Sequence, residues 1–247
     1  MLLHTSTWQE VQGYLESSTA VIVPIGSTEQ HGPNGLIGTD AICPETIAAE
    51  VGRQTGTLIA PTLSIGVAQH HMAFPGTITL RPPTLIAVIA DVVDSLVRHG
   101  FERLYFLNGH GGNIATISAA FSESYGRSSL GDSRRTPFRL RLRNWWHGPD
   151  LRRLSSQLYG KAEGSHATPS EVSLSWFACP DAVKDVPMSP EIAPTGEIRD
   201  AEDYRRQFPD GRIGSNPALA SVEAGERLLH AAVADTIADL QGFVGGK

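Results

Sequence analysis

The segment VIVPIGSTEQHG, residues 21–32, decides how the fold of this chain is predicted. Its first half is a short apolar run closed by Gly26, a pattern typical of a buried strand and the turn at its end. Glu29 and His31 follow that turn, and Asp40 comes soon after them. Ligands of open α/β sheets bind beyond the carboxyl ends of the strands. The segment therefore predicts a ligand site with two carboxylates and an imidazole.

Outward from this segment, strand-like and helix-like patterns alternate. The predicted strands are residues 58–66, 104–107 and 138–142, the last because apolar residues alternate with arginines. The predicted helices are residues 8–15, 44–52, 82–99 and 114–125, with a long final helix capped by Asn216 and Pro217. A strand, a glycine-rich turn and a helix recur in this order. This argues for parallel βαβ units and a layered α/β fold.

The composition indicates one domain over residues 1–247. Of these 247 residues, 40% are hydrophobic and 19% charged, enough to bury a sizeable core. A net charge of −6 disfavours nucleic acid or an anionic membrane surface as the partner and favours a small-molecule substrate. Cys43 and Cys179 form no paired motif, and no apolar run approaches the ~20 residues that span a bilayer. We therefore expect a cytoplasmic protein.

The sequence also allows structural predictions for three other regions. Residues 126–137 are polar and read as an exposed loop. Arg139, Arg141 and Arg143 form one face of their strand, and we expect that face to be solvated or in a subunit contact; an anion site is the less favoured alternative. Residues 180–214 lack periodicity, and a loop of this length is usually functional or flexible. We expect that segment to contribute to the wall of the substrate pocket.

Five side chains suit a divalent metal ion: Glu29, His31, Asp40, His110 and Glu171. Zn²⁺, Mn²⁺ and related ions bind imidazole nitrogen and carboxylate oxygen, and a carboxylate can bridge two ions. No single spacing is decisive, because Glu-x-His occurs often by chance. Position strengthens the hypothesis, since the turns carrying Glu29, His31 and His110 follow apolar strands. Turns of that kind share one edge of a parallel sheet.

The glycines beside His110 allow two interpretations. Gly111, Gly112 and Asn113 at a helix start could present backbone N–H groups to a phosphate. The segment lacks both the Gly-x-Gly-x-x-Gly fingerprint and the Lys-Ser/Thr of a P-loop, so a nucleotide site is the weaker interpretation. The favoured one is that small residues let the backbone and a substrate come close to a metal.

Taken in order, the motifs resemble those of the creatininase (creatinine amidohydrolase) family. They are GSTEQHG at 26–32 with Asp40, FPGT at 74–77 preceded by His71, NGHGGN at 108–113, His166 with Glu171, and GSNP at 214–217. The resemblance covers nearly the whole chain. It implies a three-layer α/β/α sandwich with a mostly parallel central sheet, a two-metal centre and hydrolysis of a non-peptide or unusual C–N amide bond. It also implies a homo-oligomer, often a hexamer.

The resemblance assigns metal ligands by position. Glu29 and His110 would hold one ion and His31 the other, while Asp40 bridges both and Glu171 completes the site. Two divalent ions that share a water lower its pKa toward neutrality and polarise a substrate carbonyl. We expect two ions per subunit, with Zn²⁺ favoured over Mn²⁺ or Fe²⁺.

Two departures from the family pattern bear on the substrate. Residues 166–173 read HATPSEVS, where many members have His-Ala-Gly-x-x-Glu-Thr-Ser. The spacing from His to Glu is kept, so this change affects substrate shape more than metal binding. Creatininase itself has a Glu two residues after the His of the third motif, where this chain has Gly112. Creatinine is therefore not the expected substrate.

His166 is the candidate for proton transfer to the departing nitrogen, because imidazole accepts and donates protons near pH 7. The alternative is a hydrogen bond from His166 to a ligand carboxylate. The family pattern places His71 near the pocket, where it would touch substrate, whereas His70 is expected at the surface or in packing. Trp145 and Trp146 could stack on a flat ring, although at least one of them is expected in the core or an interface.

The sequence thus predicts a binuclear metal-dependent amidohydrolase that cleaves a small cyclic amide or formamide with a metal-activated water. Two alternatives stay open. One is a peptidase that trims a modified peptide. The other, from a different class, is a non-catalytic metal- or nucleotide-binding sensor.

Overall fold

The computed structural model describes residues 1–131 and 137–246. The strands are β1 (Ala20–Ile25), β2 (Leu58–Ile59), β3 (Arg103–Asn108) and β4 (Arg139–Asn144). The helices are α1 (Trp8–Leu15), α2 (Thr39–Thr55), α3 (Pro82–Arg98), α4 (Ile114–Leu130), α5 (Pro149–Tyr159), α6 (Pro169–Ala178), α7 (Ala201–Gln207) and α8 (Val222–Gly245). Short 3-10 turns join several of these elements.

The four strands form one parallel sheet in the order β2-β1-β3-β4. At its carboxyl edge, Asn108 of β3 pairs with Ile25 of β1 on one side and with Asn144 of β4 on the other. The ends of these three strands are therefore level. The turns that follow them meet at one edge, which is where ligands of such sheets bind.

Helices cover both faces of the sheet. On one face, Val21, Val23 and Ile25 of β1 share a hydrophobic core with α3 and α4. On the other, Ile22 of β1 and Tyr105 of β3 share a core with α2, α5, α6 and α8. A strand covered on both faces is apolar throughout rather than alternating, which is why β1 is buried along its whole length. The three-layer α/β/α fold and the parallel sheet are thereby confirmed.

The helix that carries Asp40 begins earlier than predicted. Its expected start was Pro44, but α2 begins at Thr39, and Pro44 lies inside it. Proline has no N–H to donate to the carbonyl four residues before it, so Asp40 O lacks that helical partner. Gly26 and Gly109 approach this carbonyl so closely that a Cβ at either would overlap it. The early start places the Asp40 side chain in the first helical turn, facing the sheet edge.

Three other predicted boundaries are wrong. Only residues 58–59 of the predicted strand 58–66 pair as a strand, with a single further bridge between Ile25 and Leu63. The predicted loop 126–137 is helical as far as Leu130, and residues 132–136 lie outside the described part of the chain. Asn216 caps only a 3-10 turn, and Ser221 caps the final helix. Ser and Asn both suit caps, so sequence alone did not separate the two.

The arginine face of β4 packs against α8 of the same chain. Arg141 pairs with Asp239 at 3.5 Å and lies over the Phe243 ring at 5.6 Å. The side chain of Arg141 is still 42% exposed, so this part of the face is partly solvated, as expected, as well as packed on α8. Among the helices that the structure describes, none combines the length and apolar character that a bilayer crossing requires.

Candidate metal centre

The turn after β1 carries two predicted metal ligands into the interior. Glu29 is fully buried, and its backbone N–H donates to Ile37 O at 2.9 Å. Oε2 of Glu29 accepts a hydrogen bond from Ser27 Oγ at 3.1 Å. Nδ1 of His31 lies 3.1 Å from Glu29 O. Hydrogen bonds within this turn therefore position both side chains.

Asp40 lies between two imidazoles. Its Oδ1 is 3.1 Å from Nε2 of His31, and its Oδ2 is 3.0 Å from Nδ1 of His110. Burial alone would raise the pKa of Asp40, but the two imidazoles hold it well below its usual range. The arrangement makes Asp40 the residue that joins the β1 turn to the β3 turn.

His110 reaches this position because Asn108 holds the turn after β3. Nδ2 of Asn108 donates to His110 O at 2.7 Å, and its Oδ1 accepts from His110 N at 3.2 Å. Nε2 of His110 lies 3.3 Å from Oε2 of Glu29 and 2.9 Å from Val67 O. His110 thus contacts the carboxylates of both Glu29 and Asp40.

Gly112 leaves the space that His110 occupies. A Cβ at Gly112 would overlap Nε2 of His110 and lie 2.7 Å from Val67 O. A Cβ at the neighbouring Gly111 would meet nothing within 4 Å. Position 112 therefore lacks the carboxylate of creatininase, and the packing around it has no room for any side chain unless His110 moves.

Glu171 caps a helix and faces the centre with the same carboxylate. Thr168 N donates to Oε1 of Glu171 at 2.6 Å, and Glu171 N donates to Thr168 Oγ1 at 3.2 Å, which forms a capping box at the start of α6. The other oxygen, Oε2, lies 4.0 Å from Nε2 of His31. Burial raises the pKa of Glu171 to about 7. The helix cap therefore fixes the direction in which Oε2 points.

The structure brings all five predicted ligands together, and we call them the five-residue centre: Glu29, His31, Asp40, His110 and Glu171. One ligand atom each from Glu29, His31 and Asp40 lies within 4.8 Å of the others. Oε1 of Glu29 and Oδ2 of Asp40 are buried, and among the described residues neither forms a hydrogen bond of good geometry, although an imidazole nitrogen lies 3.0 Å from each. Imidazole nitrogen and carboxylate oxygen are the donors that Zn²⁺ and Mn²⁺ take. The residues present therefore fit a divalent cation.

The carboxylates of the centre attract positive charge. Burial raises the pKa of Glu29 to about 8. Burial opposes the protonation of the imidazoles, yet the nearby carboxylates raise the pKa of His31 to about 10 and that of His110 to about 9. Buried carboxylates require such compensation, whether by protons or by a metal cation.

His166 lies beside the centre and lines the same cavity. Its Nδ1 is 3.9 Å from Oε1 of Glu29, and its ring centroid is 4.7 Å from that of His31. Burial and the charge of His31 hold the pKa of His166 well below its usual range. Ligand atoms of His31, His166 and Glu171 also lie within 4.8 Å of one another, so the geometry admits His166 as a ligand as well. Its role as proton carrier stays a prediction.

His71 contacts the centre but is not among the residues that line the cavity. Its Nε2 lies 3.0 Å from Oε1 of Glu29, and its Nδ1 lies 2.9 Å from Nε2 of Gln30. His70 packs beside it, with ring centroids 4.2 Å apart. The structure thus gives His71 contacts with Glu29, Gln30 and His70, and its contact with substrate stays a prediction.

A cavity of about 690 Å³ opens onto the centre. Asp40, His110, His166 and Glu171 are among the residues that line it, and so are both predicted tryptophans. Trp145 is only 2% exposed and belongs to the core, while Trp146 is half-buried and meets it edge to face. The expectation that at least one tryptophan packs in the core is confirmed. Stacking on a substrate stays a prediction.

Two polar residues near the centre are absent from the predicted site. Nε2 of Gln30 donates to Gly211 O at 3.0 Å and to Tyr204 Oη at 3.2 Å, and it lies 3.0 Å from Nε2 of His166. Tyr204 Oη donates to Gly211 O at 2.7 Å. Gln30 lies within the GSTEQHG motif at 26–32, and that position was the available signal. Tyr204 lies in a segment without periodicity and offered none.

The segment 180–214 does not supply the cavity wall that was expected of it. The residues that line the cavity come from Asp40 and from positions 109–171. The segment instead contains α7 and is tied together by Arg212, which is fully buried and pairs with Asp210 at 2.7 Å. Arg212 also donates to the carbonyls of Pro190, Glu191 and Ser215. The segment packs behind His166 through Tyr204 and Gly211.

Comparisons with known proteins agree with this geometry. The family model described as Creatininase: Creatinine amidohydrolase matches residues 4–240. A creatinine amidohydrolase of Pseudomonas putida is 27% identical over 244 residues, which cover 92% of this chain and 91% of that protein. A solved structure described as Creatininase Mn has a TM-score of 0.85 and 25% identity and covers 98% of both chains.

Two other relatives are matched over about half their length. A 3-dehydro-scyllo-inosose hydrolase of Thermotoga maritima is 27% identical over 175 residues, 70% of this chain and 53% of that protein. A mycofactocin precursor peptide peptidase of Mycolicibacterium smegmatis is 33% identical over 124 residues, 48% of this chain and 49% of that protein. Since the family model spans nearly the whole chain, the chain belongs to the creatininase family and is a hydrolase that acts on C–N bonds.

Proposed function

We propose that this hydrolase is metal-dependent and cleaves the C–N amide bond of a small cyclic amide or formamide. The observation that carries the proposal is the five-residue centre at a cavity of about 690 Å³, a volume suited to a small molecule. The relative from Pseudomonas putida, a creatinine amidohydrolase by name, supports an amide of this size.

Asp40 would bridge two divalent ions. Glu29 and His110 would complete one set of ligands, and His31 and Glu171 the other. When bound, such ions lower the pKa of a water and polarise a carbonyl. The nitrogen and oxygen donors favour Zn²⁺, with Mn²⁺ or Fe²⁺ as alternatives, and the related structure named for Mn supports a metal of this class.

The remaining residues would position substrate and move a proton. His166 lines the cavity beside Glu29 and would deliver a proton to the departing nitrogen. Burial and the charge of His31 hold the pKa of His166 low, so the ring is neutral and would take the proton from the attacking water before passing it to the departing nitrogen. Trp145 and Trp146, whose ring planes are nearly perpendicular, would provide an apolar wall against which a substrate ring could stack. His71 would act through its contact with Glu29.

Creatinine itself is not the proposed substrate. The carboxylate that creatininase has two residues after the third-motif His is replaced here by Gly112, where a side chain would overlap His110. A different small amide is therefore favoured.

A peptidase that trims a modified peptide is the second candidate. It is favoured by the 33% identity to the mycofactocin precursor peptide peptidase, higher than the 27% to the creatinine amidohydrolase. The sensor hypothesis is not retained, because the chain is a hydrolase. Asn113 is also occupied internally, since its Oδ1 accepts from Val67 N and its Nδ2 donates to Gly26 O, both at 2.9 Å.

The His166→Ala variant tests the proposal. Purified protein is stripped with a chelator, reloaded with Zn²⁺, Mn²⁺ or Fe²⁺, and assayed on cyclic amides, N-formyl amines and short peptides. We expect chelation to abolish activity, reloading to restore it, and His166→Ala to lower kcat about 10²- to 10⁴-fold while the metal is retained. His99→Ala, an exposed histidine, is the matched control.

Two results would contradict this account. Protein that contains no divalent metal and gains none on incubation would remove the metal-dependent mechanism. Unchanged turnover in His166→Ala would remove the proton carrier. Cleavage of peptides but of no cyclic amide or formamide would favour the second candidate. A hexameric assembly and a cytoplasmic location stay predictions from the sequence.

A further inference from the structure

The cavity lining also includes two basic side chains that do not belong to the five-residue centre. His147, in the turn after β4, and Arg152, on α5, both line the cavity. Within residues 1–131 and 137–246, Arg152 makes no ion pair with a carboxylate, whereas the adjacent Arg153 pairs with Asp150 at 2.8 Å. Arg152 is also exposed, so its guanidinium is open to a ligand in the cavity. The cavity wall therefore offers a cation that no described carboxylate neutralises.

A second arginine adds to the positive charge around His147. Burial lowers the pKa of His147, and the charges of Arg143 and Arg152 lower it further. Nε of Arg143 is buried and has no hydrogen-bond partner among the described residues. In the described part of the chain, two guanidinium groups therefore act on this imidazole, and no acidic residue is among the groups that shift its pKa.

Three carboxyl groups also line the cavity, and in the described part of the chain none of them forms an ion pair with Arg152. Asp40 and Glu171 belong to the five-residue centre, where the imidazoles and the proposed metal ions compensate them. Glu163 also lines the cavity, and its Oε1 accepts a hydrogen bond from Ser170 Oγ. Burial raises the pKa of Glu163. Glu163 is bonded to the Ser170 hydroxyl, and among the described residues no ion pair joins it to Arg152 or His147.

We propose that Arg152 and His147 form a subsite for an anionic group of the substrate, a carboxylate or a phosphate, while its amide bond lies at the five-residue centre. A guanidinium presents paired N–H donors that match both groups. An unpaired cation on a cavity wall also raises the local concentration of anions. The substrate class is then a small amide or formamide that carries a negative charge. The position of the scissile bond in this proposal rests on the proposed function.

The test compares charged and neutral probes on matched variants. The carboxylate probes are the N-formyl derivatives of glycine, β-alanine and γ-aminobutyrate, and the phosphate probe is N-formyl phosphoethanolamine. The neutral probes are the N-formyl derivatives of the corresponding amino alcohols. Each is measured by calorimetric binding to metal-free protein and by kcat/KM with metal-loaded protein. The variants are Arg152→Gln and Arg153→Gln, the latter changing an arginine that is already paired and does not line the cavity.

We expect the wild-type protein and Arg153→Gln to bind at least one anionic probe more tightly than its neutral counterpart. Arg152→Gln should reduce that preference by about tenfold or more, the size of a lost charge-assisted hydrogen bond, and leave the neutral probes unchanged. The carboxylate and phosphate arms identify which anion the subsite takes. His147→Gln should reduce the preference by a smaller factor, because a neutral imidazole contributes a hydrogen bond without a charge.

The outcomes separate this proposal from the proposed function. If Arg152→Gln keeps the preference, if it weakens charged and neutral probes equally, or if no anionic probe is preferred, the subsite is overturned even when hydrolysis is observed. If metal-free protein shows the Arg152-dependent preference but no probe is hydrolysed after metal loading, the subsite stands and the proposed hydrolysis of such amides fails.

Discussion

The five-residue centre and the segment 180–214 are held in place by different means. Every member of the centre lies in the first turn of a helix or in a turn directly after a sheet strand. The segment contains one short helix, α7, and is fastened by side-chain bonds to backbone carbonyls, above all those of Arg212 and Tyr204. The sheet therefore positions the charged groups, while the segment packs against their neighbours Gln30 and His166.

The two regions also differ in how completely their buried polar groups are hydrogen-bonded. In the segment, Arg212 is buried, but Asp210 and three carbonyls accept from its guanidinium. In the centre, one buried carboxylate oxygen each of Glu29 and Asp40 forms no hydrogen bond of good geometry among the described residues, although an imidazole nitrogen lies 3.0 Å from each. Buried polar groups in proteins are normally paired, so unpaired ones mark a ligand position. Changes in the centre should therefore alter metal binding, and changes in the segment should alter stability.

The largest expected effect is that of Asp40→Asn. This change removes the negative charge shared by His31 and His110 while keeping the size of the side chain. We expect the protein to retain no divalent metal after dialysis and hydrolysis to fall to background, as measured by elemental analysis and by turnover of the best amide. Glu45→Gln, at an exposed position on the same helix, should change neither. Full metal content in Asp40→Asn would contradict the assignment of metal binding to the five-residue centre.

Gly112→Ala should have an intermediate effect. The added Cβ would overlap Nε2 of His110 and push the imidazole away from Glu29. We expect metal affinity to fall about 10- to 100-fold, as it does when the support of a metal ligand is lost. Gly111→Ala is the matched control, because a Cβ there meets nothing within 4 Å. Competition with a metallochromic chelator measures both affinities, and equal affinities in the two variants would show that His110 is not a ligand.

Tyr204→Phe should have the smallest effect and should act on stability. The change removes the hydrogen bond from Tyr204 Oη to Gly211 O and leaves that buried oxygen with Gln30 as its remaining donor. We expect the free energy of unfolding in urea to fall by about 1 kcal/mol, with metal content unchanged. Tyr125→Phe, which affects a more exposed hydroxyl, should cost less. Loss of metal in Tyr204→Phe would show that the segment and the centre are not separable.

Much of the fold followed from local patterns. The helix over residues 8–15 was predicted with its bounds, and Thr7 caps it as expected of Ser or Thr at that position. The strands β1 and β3 were apolar enough to identify from composition alone. The predicted start of α2 is wrong because proline is typical of the first turn of a helix, so Pro44 indicated a start there. In the structure Pro44 lies further inside the helix, and Gly26 and Gly109 pack closely against Asp40 O, the carbonyl that Pro44 cannot bond.

The sequence by itself determined which side chains could bind a metal, because imidazole and carboxylate groups follow apolar strands in glycine-rich turns, and it determined the family through the order of its motifs. Only the tertiary structure decided how they meet. The level ends of β1 and β3 bring Glu29 and His110 together, and the helix cap at Thr168 turns Glu171 toward His31. Tyr204, Arg152 and His147 had no local signal, because their relation to the centre comes from packing between distant segments. Periodicity records only which face of an element is buried, so it carries no record of such packing.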